Sequence, residues 1–449
     1  RLALQVGEGL DFRASLLART SGRGPQVDIT ATQLAIIGEG QFAQAGEVAV
    51  DTALIDRFGA DSLLLGGIRG ALDDNGERLV YSDDGVFGAR TVRVATGEGA
   101  VLSAAEVVVV AREEVKIEAG SRIEAVGEIT PEVLRIAGSA AEVDGAMLRL
   151  AAGDADAPRR DAPLHAEGRL VLGAGAQLAA RSVVLDATNA TINEGAEFTL
   201  AEHGQMTLTG SRISVGETAA VSDGLVFSNA QLSGLGEPAR LRLKSYTTLD
   251  LYGEVALGHA GLEQLVIDAA GVVGRDNAGI VQTVTAQALS FVNSNDSAAD
   301  PAVFAGAESA GSLVVSADTV TFGATPEAAA GVHGMSFEGY GQVRFDAASA
   351  MRLEGRGDVG VAADAVVHTP VVVAGTAARQ ALSVAGALQM SGGGSAAEGV
   401  PEGAGLGAAY TMEAESLHID TRIVLPAGQI TARARGADAT SGSLEVAAG

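Results

Sequence analysis

Short runs in which two apolar residues flank one polar residue recur along this chain, and strands begin at intervals of seven to sixteen residues. Met206-Thr207-Leu208, Leu241-Arg242-Leu243 and Leu417-His418-Ile419 are examples. This period of two is typical of a strand with one buried face and one solvated face. The 60 glycines and 10 prolines interrupt the 449 residues about once every six residues, whereas a mean helix needs about 11–12. The chain is therefore predicted to be all-β.

Two architectures accommodate so many short strands: a stacked antiparallel sandwich array and a parallel β-helix, also called a β-solenoid. The apolar residues are mainly Val, Leu, Ile and Ala, and aromatic residues make up only 4%, which suits a narrow coil interior. Tight hairpin signals such as Asn75-Gly76 are few. Small corners such as Gly173-Ala174-Gly175 precede new strands, as stacked coils require. These features favour the parallel β-helix.

We expect residues 1–449 to form one continuous β-solenoid segment with the shape of an elongated rod. A coil of about 20–25 residues gives roughly twenty coils, stacked about 4.8 Å apart. Such a fold grows in one dimension and so escapes the limit of about 250–300 residues for a single core. Stretches rich in Asp, Pro, Ser or Gly predict protruding loops near 154–165, 293–301 and 390–407.

Composition excludes several kinds of protein. The net charge of −26 argues against nucleic-acid binding, because an acidic body repels phosphate. The chain has no Cys, so disulfide scaffolds and thiolate metal sites are excluded. The longest apolar runs fall short of 18 residues, and no transmembrane helix is expected. The six His residues are dispersed without metal-ligand spacing, and neither a metal nor a cofactor is expected.

Three stretches carry a family resemblance. They are Asp61-Ser62-Leu63-Leu64-Leu65-Gly66-Gly67-Ile68-Arg69, the run from Leu102 to Ala111, and the run from Glu114 to Gly127. The sequence of these stretches resembles the filamentous-haemagglutinin-like large exoproteins of Gram-negative bacteria, most closely over about residues 50–130. The rest of the chain shares their Gly/Ala-rich, Cys-free, strand-and-turn texture.

The resemblance implies a right-handed parallel β-helix that is secreted through an outer-membrane transporter, often by two-partner secretion. It further implies a structural stalk or adhesive segment at the cell surface, which attaches to a receptor or glycan on host or bacterial cells and contributes to virulence. The family's N-terminal secretion domain is missing from this sequence, which opens at Arg1 without an initiator Met. We therefore expect an internal fragment of a longer exoprotein. The lack of Cys suits export, because a disulfide loop would block a chain threaded unfolded through a pore.

One short segment offers a candidate adhesive site. Arg356, Gly357 and Asp358 form an integrin-like tripeptide inside Gly355-Arg356-Gly357-Asp358-Val359-Gly360, which also fits the G-x-G-x-x-G pattern. Dinucleotide binding requires a helix after that pattern, but Val366-Val367 and Val371-Val372-Val373 predict strands. An adhesive role would require a protruding loop. The alternative interpretation is a turn with a solvated charge pair.

Paired acids provide the basis for an alternative function. Asp73-Asp74, Asp83-Asp84 and Glu113-Glu114 are such pairs, and β-helix polysaccharide lyases and hydrolases gather acids from adjacent coils, sometimes around Ca²⁺. Against this, carbohydrate enzymes usually use aromatic platforms, and the chain has only 11 Phe and 5 Tyr. A phage fibre or surface-layer protein is a further alternative, which trimeric assembly would indicate. The leading hypothesis assigns no catalytic residue and no enzymatic activity.

Overall fold

The computed structural model describes most of the chain. The described residues are 1–7, 24–81, 88–97, 99–137, 145–160, 168–218, 221, 223–295, 310–323, 334–392, 401, 403–436 and 443–446. Strands account for 59% of the structure and helices for 3%, which confirms the all-β prediction.

The chain divides into two compact units. The first unit holds residues 1–211, 222–226 and 230–240, and the second holds 212–221, 227–229 and 241–449. Both are built from long parallel ladders of strands, consistent with a β-helix or solenoid. One continuous rod over 1–449 stays a prediction.

Up to residue 211 there are nineteen strands and one helix among the described residues. They are β1 (Leu2–Gln5), β2 (Gln26–Thr30), β3 (Gln33–Ile37), β4 (Val48–Asp51), α1 (Thr52–Phe58), β5 (Ser62–Leu65), β6 (Ile68–Leu72), β7 (Arg78–Tyr81), β8 (Thr91–Ala95), β9 (Leu102–Ala104), β10 (Glu106–Ala111), β11 (Glu114–Ile117), β12 (Arg122–Ala125), β13 (Leu134–Ala137), β14 (Ala146–Ala151), β15 (Arg159–Arg160), β16 (Arg169–Leu172), β17 (Gln177–Asp186), β18 (Asn189–Ile192) and β19 (Glu197–Gly210).

After residue 211 the described part of the chain holds twenty-two strands and one helix. They are β20 (Ile213–Gly216), β21 (Leu225–Phe227), α2 (Asn229–Ser233), β22 (Arg240–Ser245), β23 (Thr248–Tyr252), β24 (Ala256–Gly258), β25 (Gln264–Asp268), β26 (Gly271–Arg275), β27 (Val281–Thr285), β28 (Ala288–Val292), β29 (Gly311–Phe322), β30 (Met335–Glu338), β31 (Tyr340–Leu353), β32 (Arg356–Val361), β33 (Asp364–His368), β34 (Val371–Ala374), β35 (Arg379–Val384), β36 (Ala387–Ser391), β37 (Ala409–Ala414), β38 (Ser416–Ile419), β39 (Arg422–Val424), β40 (Gln429–Ala434) and β41 (Leu444–Val446).

Within each unit the strands form three ladders, in which nearly all described pairings are parallel, and successive strands of one coil join different ladders. In the second unit, ladder 1 runs β20-β23-β26-β30-β32-β35-β37-β40. Ladder 2 runs β24-β27-β29-β31-β33-β36-β38-β41. Ladder 3 runs β25-β28-β29-β31-β34-β39, so the long strands β29 and β31 turn a corner and serve two ladders.

The length of one coil follows from the register. Leu170 pairs with Ala190, 20 residues later, and Arg356 pairs with Arg379, 23 residues later. Both intervals agree with the expected coil length. Inward residues such as Val183 and Leu185 are fully buried, and the aliphatic ladders predicted from the alternation fill the interior.

The first unit departs from simple stacking because it carries an additional sheet. Strands β6, β7, β13 and β15 form this outer sheet, and the Asn75-Gly76 turn connects β6 to β7 as an antiparallel hairpin. Strand β14 runs antiparallel between β10 and β17, within an otherwise parallel ladder. A second apolar core, which includes Leu64, Val108 and Ile136, fills the space under the outer sheet. Strands β5, β10 and β14 are consequently buried on both faces.

The interior of the second unit holds more aromatic volume than expected. Phe291, Phe322, Phe337 and Phe345 lie with ring centroids 5.2 to 6.2 Å apart, mostly edge to face. Such offset and T-shaped arrangements are the favoured geometries for aromatic pairs. This unit therefore holds a group of four packed rings beside its aliphatic ladders, although aromatic residues make up only 4% of the chain.

The predicted protruding loops are described only in part. Residues 159–160 form β15, the edge strand of the outer sheet, and Asp154, which precedes it, forms ion pairs with Arg181 and Arg240. Residues 161–165 and 296–301, and most of 392–407, lie outside the described residues. Protrusion at these places stays a prediction.

Candidate functional site

The outer side of ladder 1 in the second unit carries a hollow of about 430 Å³, which we call the trough. It lies over the last residues of the neighbouring strands β30, β32, β35, β37 and β40. Alternation sets its shape, because Val361 and Val384 point inward while their neighbours point to solvent. The floor consists of the small outward residues Gly360, Ala362, Ser383 and Ala385.

Longer side chains form the two walls of the trough. Glu338, at the end of β30, stands on one side, and Glu413, Glu415 and Arg435 stand on the other. Strands β30, β32, β35 and β37 are successive neighbours in the ladder. Three strand spacings of about 4.8 Å therefore separate the walls by about 14 Å at the backbone.

The two walls differ in how their charges are compensated. Glu413 accepts hydrogen bonds from Arg433, at 2.6 Å, and from Arg435. Glu338 is half-buried, and its carboxylate has no hydrogen-bond or ion-pair partner among the described residues. Burial raises the pKa of Glu338 above its ordinary value. Glu415 is exposed and likewise has no side-chain partner in the described structure. The trough thus presents two carboxylates that have no side-chain hydrogen bond or ion pair among the described residues, one on each side of a small-residue floor.

A second group of polar residues lies in the first unit, between the neighbouring strands β2, β5, β10 and β14 and the outer sheet. We call it the belt, and its members are Asp28, Ser62, Arg69, Glu106 and Arg149. Arg149 donates to Glu106 from Nε at 3.0 Å and from Nη2 at 2.6 Å. Arg69 bonds Asp28 through its guanidinium and donates to the Ser62 hydroxyl at 2.6 Å, and Ser62 donates to Glu106 at 2.5 Å.

Burial and pairing set the protonation of the belt. Desolvation alone would raise the pKa of Glu106, but the Arg149 charge and the Ser62 hydrogen bond hold that pKa below its ordinary value. Burial lowers the pKa of Arg69, although Asp28 and Glu106 oppose the change. Every charge in the belt has an opposite partner, as buried charges require. We assign the belt a structural role.

A smaller polar hollow of about 400 Å³ lies beside the belt in the first unit. Gln26, Asp61, Glu128 and Thr130 contribute its polar lining, and Ser62 forms its inner end. Ser62 is already engaged with Glu106 and Arg69, so its hydroxyl is committed to the belt. The trough is therefore the stronger candidate for contact with a partner.

The structure places the tripeptide Arg356-Gly357-Asp358 in strand β32 and not in a protruding loop. All three residues are in register with strand β35, and Asp358 accepts a hydrogen bond from the Gly334 backbone at 3.2 Å. Arg356 and Asp358 remain exposed. The adhesive hypothesis requires a protruding loop, whereas the tripeptide lies in a paired strand. The strands expected after the G-x-G-x-x-G pattern are present as β33 and β34.

The acid pairs do not come together as a site in the described structure. Asp73 closes the β6-β7 hairpin and bonds Arg135 at 3.0 Å, and Glu113 pairs with Arg90 at 2.6 Å. Asp83 and Asp84 lie outside the described residues. In the described part of the chain no group of three or more His, Cys, Asp or Glu is arranged to hold a metal ion.

Comparisons with known proteins gave no matching family model, no matching curated protein and no matching solved structure. Among the described residues, no helix has the length and apolar character needed to cross a lipid bilayer. The trough could not be located from the sequence, because its residues meet only through the pairing of five separate strands. The local signal was limited to small residues at outward positions of β32 and β35.

Proposed function

We propose that this chain is a structural and adhesive segment of a secreted bacterial surface exoprotein. The observation that carries the proposal is the stacking of three-stranded coils around a filled aliphatic interior, which leaves the outward rows of side chains for contact. Each coil is stabilised by its neighbours, and repeated weak contacts along such a surface add through avidity. The family resemblance of residues 50–130 supports the same function.

The finer features of the proposal follow from that resemblance. We take the coils to be right-handed and the solenoid to be elongated. The export partner is an outer-membrane transporter, and the working location is the surface of a Gram-negative cell or the medium around it. The contact partner is a receptor or glycan on a host or bacterial cell. The proposed role involves no enzyme activity, no cofactor and no nucleic acid.

Binding and shape test this proposal together. The purified chain is applied to cultured host cells and to bacterial cells, and its retention is compared with that of a heat-unfolded sample. We expect saturable retention by the folded chain only. Small-angle scattering and native mass should show an elongated monomer, whereas a three-fold assembly would point to a fibre. Equal retention of folded and unfolded protein, or a globular scattering profile, would contradict the proposal.

The carbohydrate-enzyme alternative has its own assay. The chain is incubated with acidic polysaccharides with and without Ca²⁺, and new reducing ends or unsaturated products are measured. We expect no product above a buffer control. Reproducible product formation would replace the adhesive interpretation with an enzymatic one. A variant of Glu338 would then be the first to examine, because raised carboxyl pKa values favour a general acid.

A further inference from the structure

We propose that the trough binds an extended basic peptide segment of a partner protein, with two Lys or Arg residues four positions apart. The proposal rests on the adhesive function and specifies the kind of partner that one of its surfaces accepts. It concerns the hollow between Glu338 and Glu415 in the second unit.

Charge complementarity selects a cationic occupant. Glu338 and Glu415 are both without a described side-chain partner, and they stand on opposite walls. Glu338 is half-buried, so a cation that reaches it gains more than it would at an exposed carboxylate, because water screens the pair less. The net charge of −26 would also steer a basic segment toward the chain over longer distances.

The spacing of the walls selects an extended peptide. They are about 14 Å apart at the backbone, and an extended chain advances about 13 Å over four residues. Residues i and i+4 of an extended chain point to the same side, so both basic side chains can face the walls together. The peptide would lie across the strands of ladder 1.

The floor sets a second condition on the sequence of the peptide. Residue i+2 also points toward the protein and meets Ala362 and Ala385, beside the Ser383 hydroxyl. The small side chains leave shallow space, so a small residue fits at i+2. The lining of the trough includes no aromatic side chain among the described residues, and such platforms usually support sugar rings. A peptide therefore suits this surface better than a glycan.

The test measures binding of the fluorescently labelled pentapeptide Lys-Ser-Ala-Ser-Lys by fluorescence anisotropy. We expect saturable binding, weakened about tenfold or more when both carboxylates are neutralised in the Glu338→Gln/Glu415→Gln variant. The control is Glu254→Gln/Glu194→Gln, which removes the same charge at exposed positions outside the trough. Circular dichroism establishes that each variant is folded. Binding should also weaken as salt rises from about 0.02 to about 0.5 M.

Peptide controls separate the trough from general attraction to an acidic protein. The shortened peptide Lys-Ala-Lys and the acidic peptide Glu-Ser-Ala-Ser-Glu should bind much more weakly than the probe. Equal loss of affinity in the trough variant and the charge-matched control would overturn the inference, as would no binding of the probe. If cells retain the chain and the probe does not bind, this inference fails and the adhesive function stands. If the probe binds at the trough and cells do not retain the chain, the adhesive function fails instead.

Discussion

Removing Arg149 should destabilise the first unit more than any exposed charge change. The guanidinium is fully buried and makes two hydrogen bonds to Glu106, and it also donates to the backbone carbonyls of Glu132 at 2.7 Å and Asp156 at 3.2 Å. Arg149→Met keeps much of the volume but leaves Glu106 without its main counter-charge. Breaking one partner of a buried pair costs about 3–5 kcal/mol.

Two features of the belt place the expected loss near the lower end of that range. Ser62 still donates to Glu106, and Arg69 still lies 3.9 Å from the Glu106 carboxylate, so some compensation remains. We expect a loss of about 3 kcal/mol for Arg149→Met. The double variant Arg149→Met/Glu106→Gln should recover a large part of it, because no buried charge is then unpaired. Arg90→Met, which breaks an exposed pair with Glu113, should cost at most about 1 kcal/mol.

Native-state hydrogen exchange at the amides of β14 and β10 measures this loss locally, and urea unfolding measures it for the whole unit. The effect should also depend on pH. The pKa of Glu106 is depressed in the folded state, so its contribution is present above the unfolded pKa of about 4.3 and is lost as pH falls through the folded value. A loss below about 1 kcal/mol for Arg149→Met, or a double variant no better than the single, would refute this reasoning.

Four further predictions concern a buried ring, a glycine at a turn, the Arg356-Gly357-Asp358 tripeptide and the titration of two buried tyrosines. Phe345→Ala should lower the stability of the second unit by about 3–5 kcal/mol, and Phe345→Leu by less, as thermal melts would show. Gly66→Ala should destabilise the first unit far more than Gly76→Ala. Both glycines have positive φ, but only at Gly66 would a Cβ lie 2.0 Å from the Val110 carbonyl oxygen. The urea unfolding midpoints of the two variants measure the difference. Asp358→Glu should leave cell retention unchanged, since the tripeptide lies in a strand. Burial raises the pKa of Tyr340 and Tyr410. In an ultraviolet titration these two of the 5 tyrosines should therefore stay protonated until the fold opens. Because the unfolded chain loses these protons above about pH 10, the free energy of unfolding should fall as pH rises above that value.

The strands themselves could be predicted from the sequence because the alternation that defines them is local. Leu417-His418-Ile419 lies in β38, where Leu417 and Ile419 are buried and His418 is half-buried, as the pattern indicates. The small residues at corners, such as Gly173-Ala174-Gly175, are recognised from adjacent positions in the same way. These features depend on neighbouring residues, and no knowledge of distant pairing is needed.

Strand direction and double burial could not be predicted in this way. Leu148-Arg149-Leu150 has the same apolar-polar-apolar pattern as other strands, which predicts a solvated Arg149. In the structure β14 runs antiparallel and Arg149 is buried, because the outer sheet covers that face. The sheet is assembled from strands as far apart as β6 and β15, and the trough from β30 to β40. A local pattern contains no signal for either arrangement.

The belt also explains why the ladder in the first unit keeps one register. Aliphatic strands that resemble each other can slip by two residues and still bury apolar side chains, so apolar pairing alone specifies register weakly. In the observed register Arg149 lies opposite Val108 and reaches diagonally to Glu106. A slip of two residues would move the guanidinium about 7 Å along β14. Both charges would then lie under the outer sheet without a partner. A slip of one residue would turn Arg149 into the aliphatic interior. Either slip would leave buried charges without partners, at a cost of several kcal/mol in folding free energy. The buried pair therefore selects the observed alignment of β10 and β14.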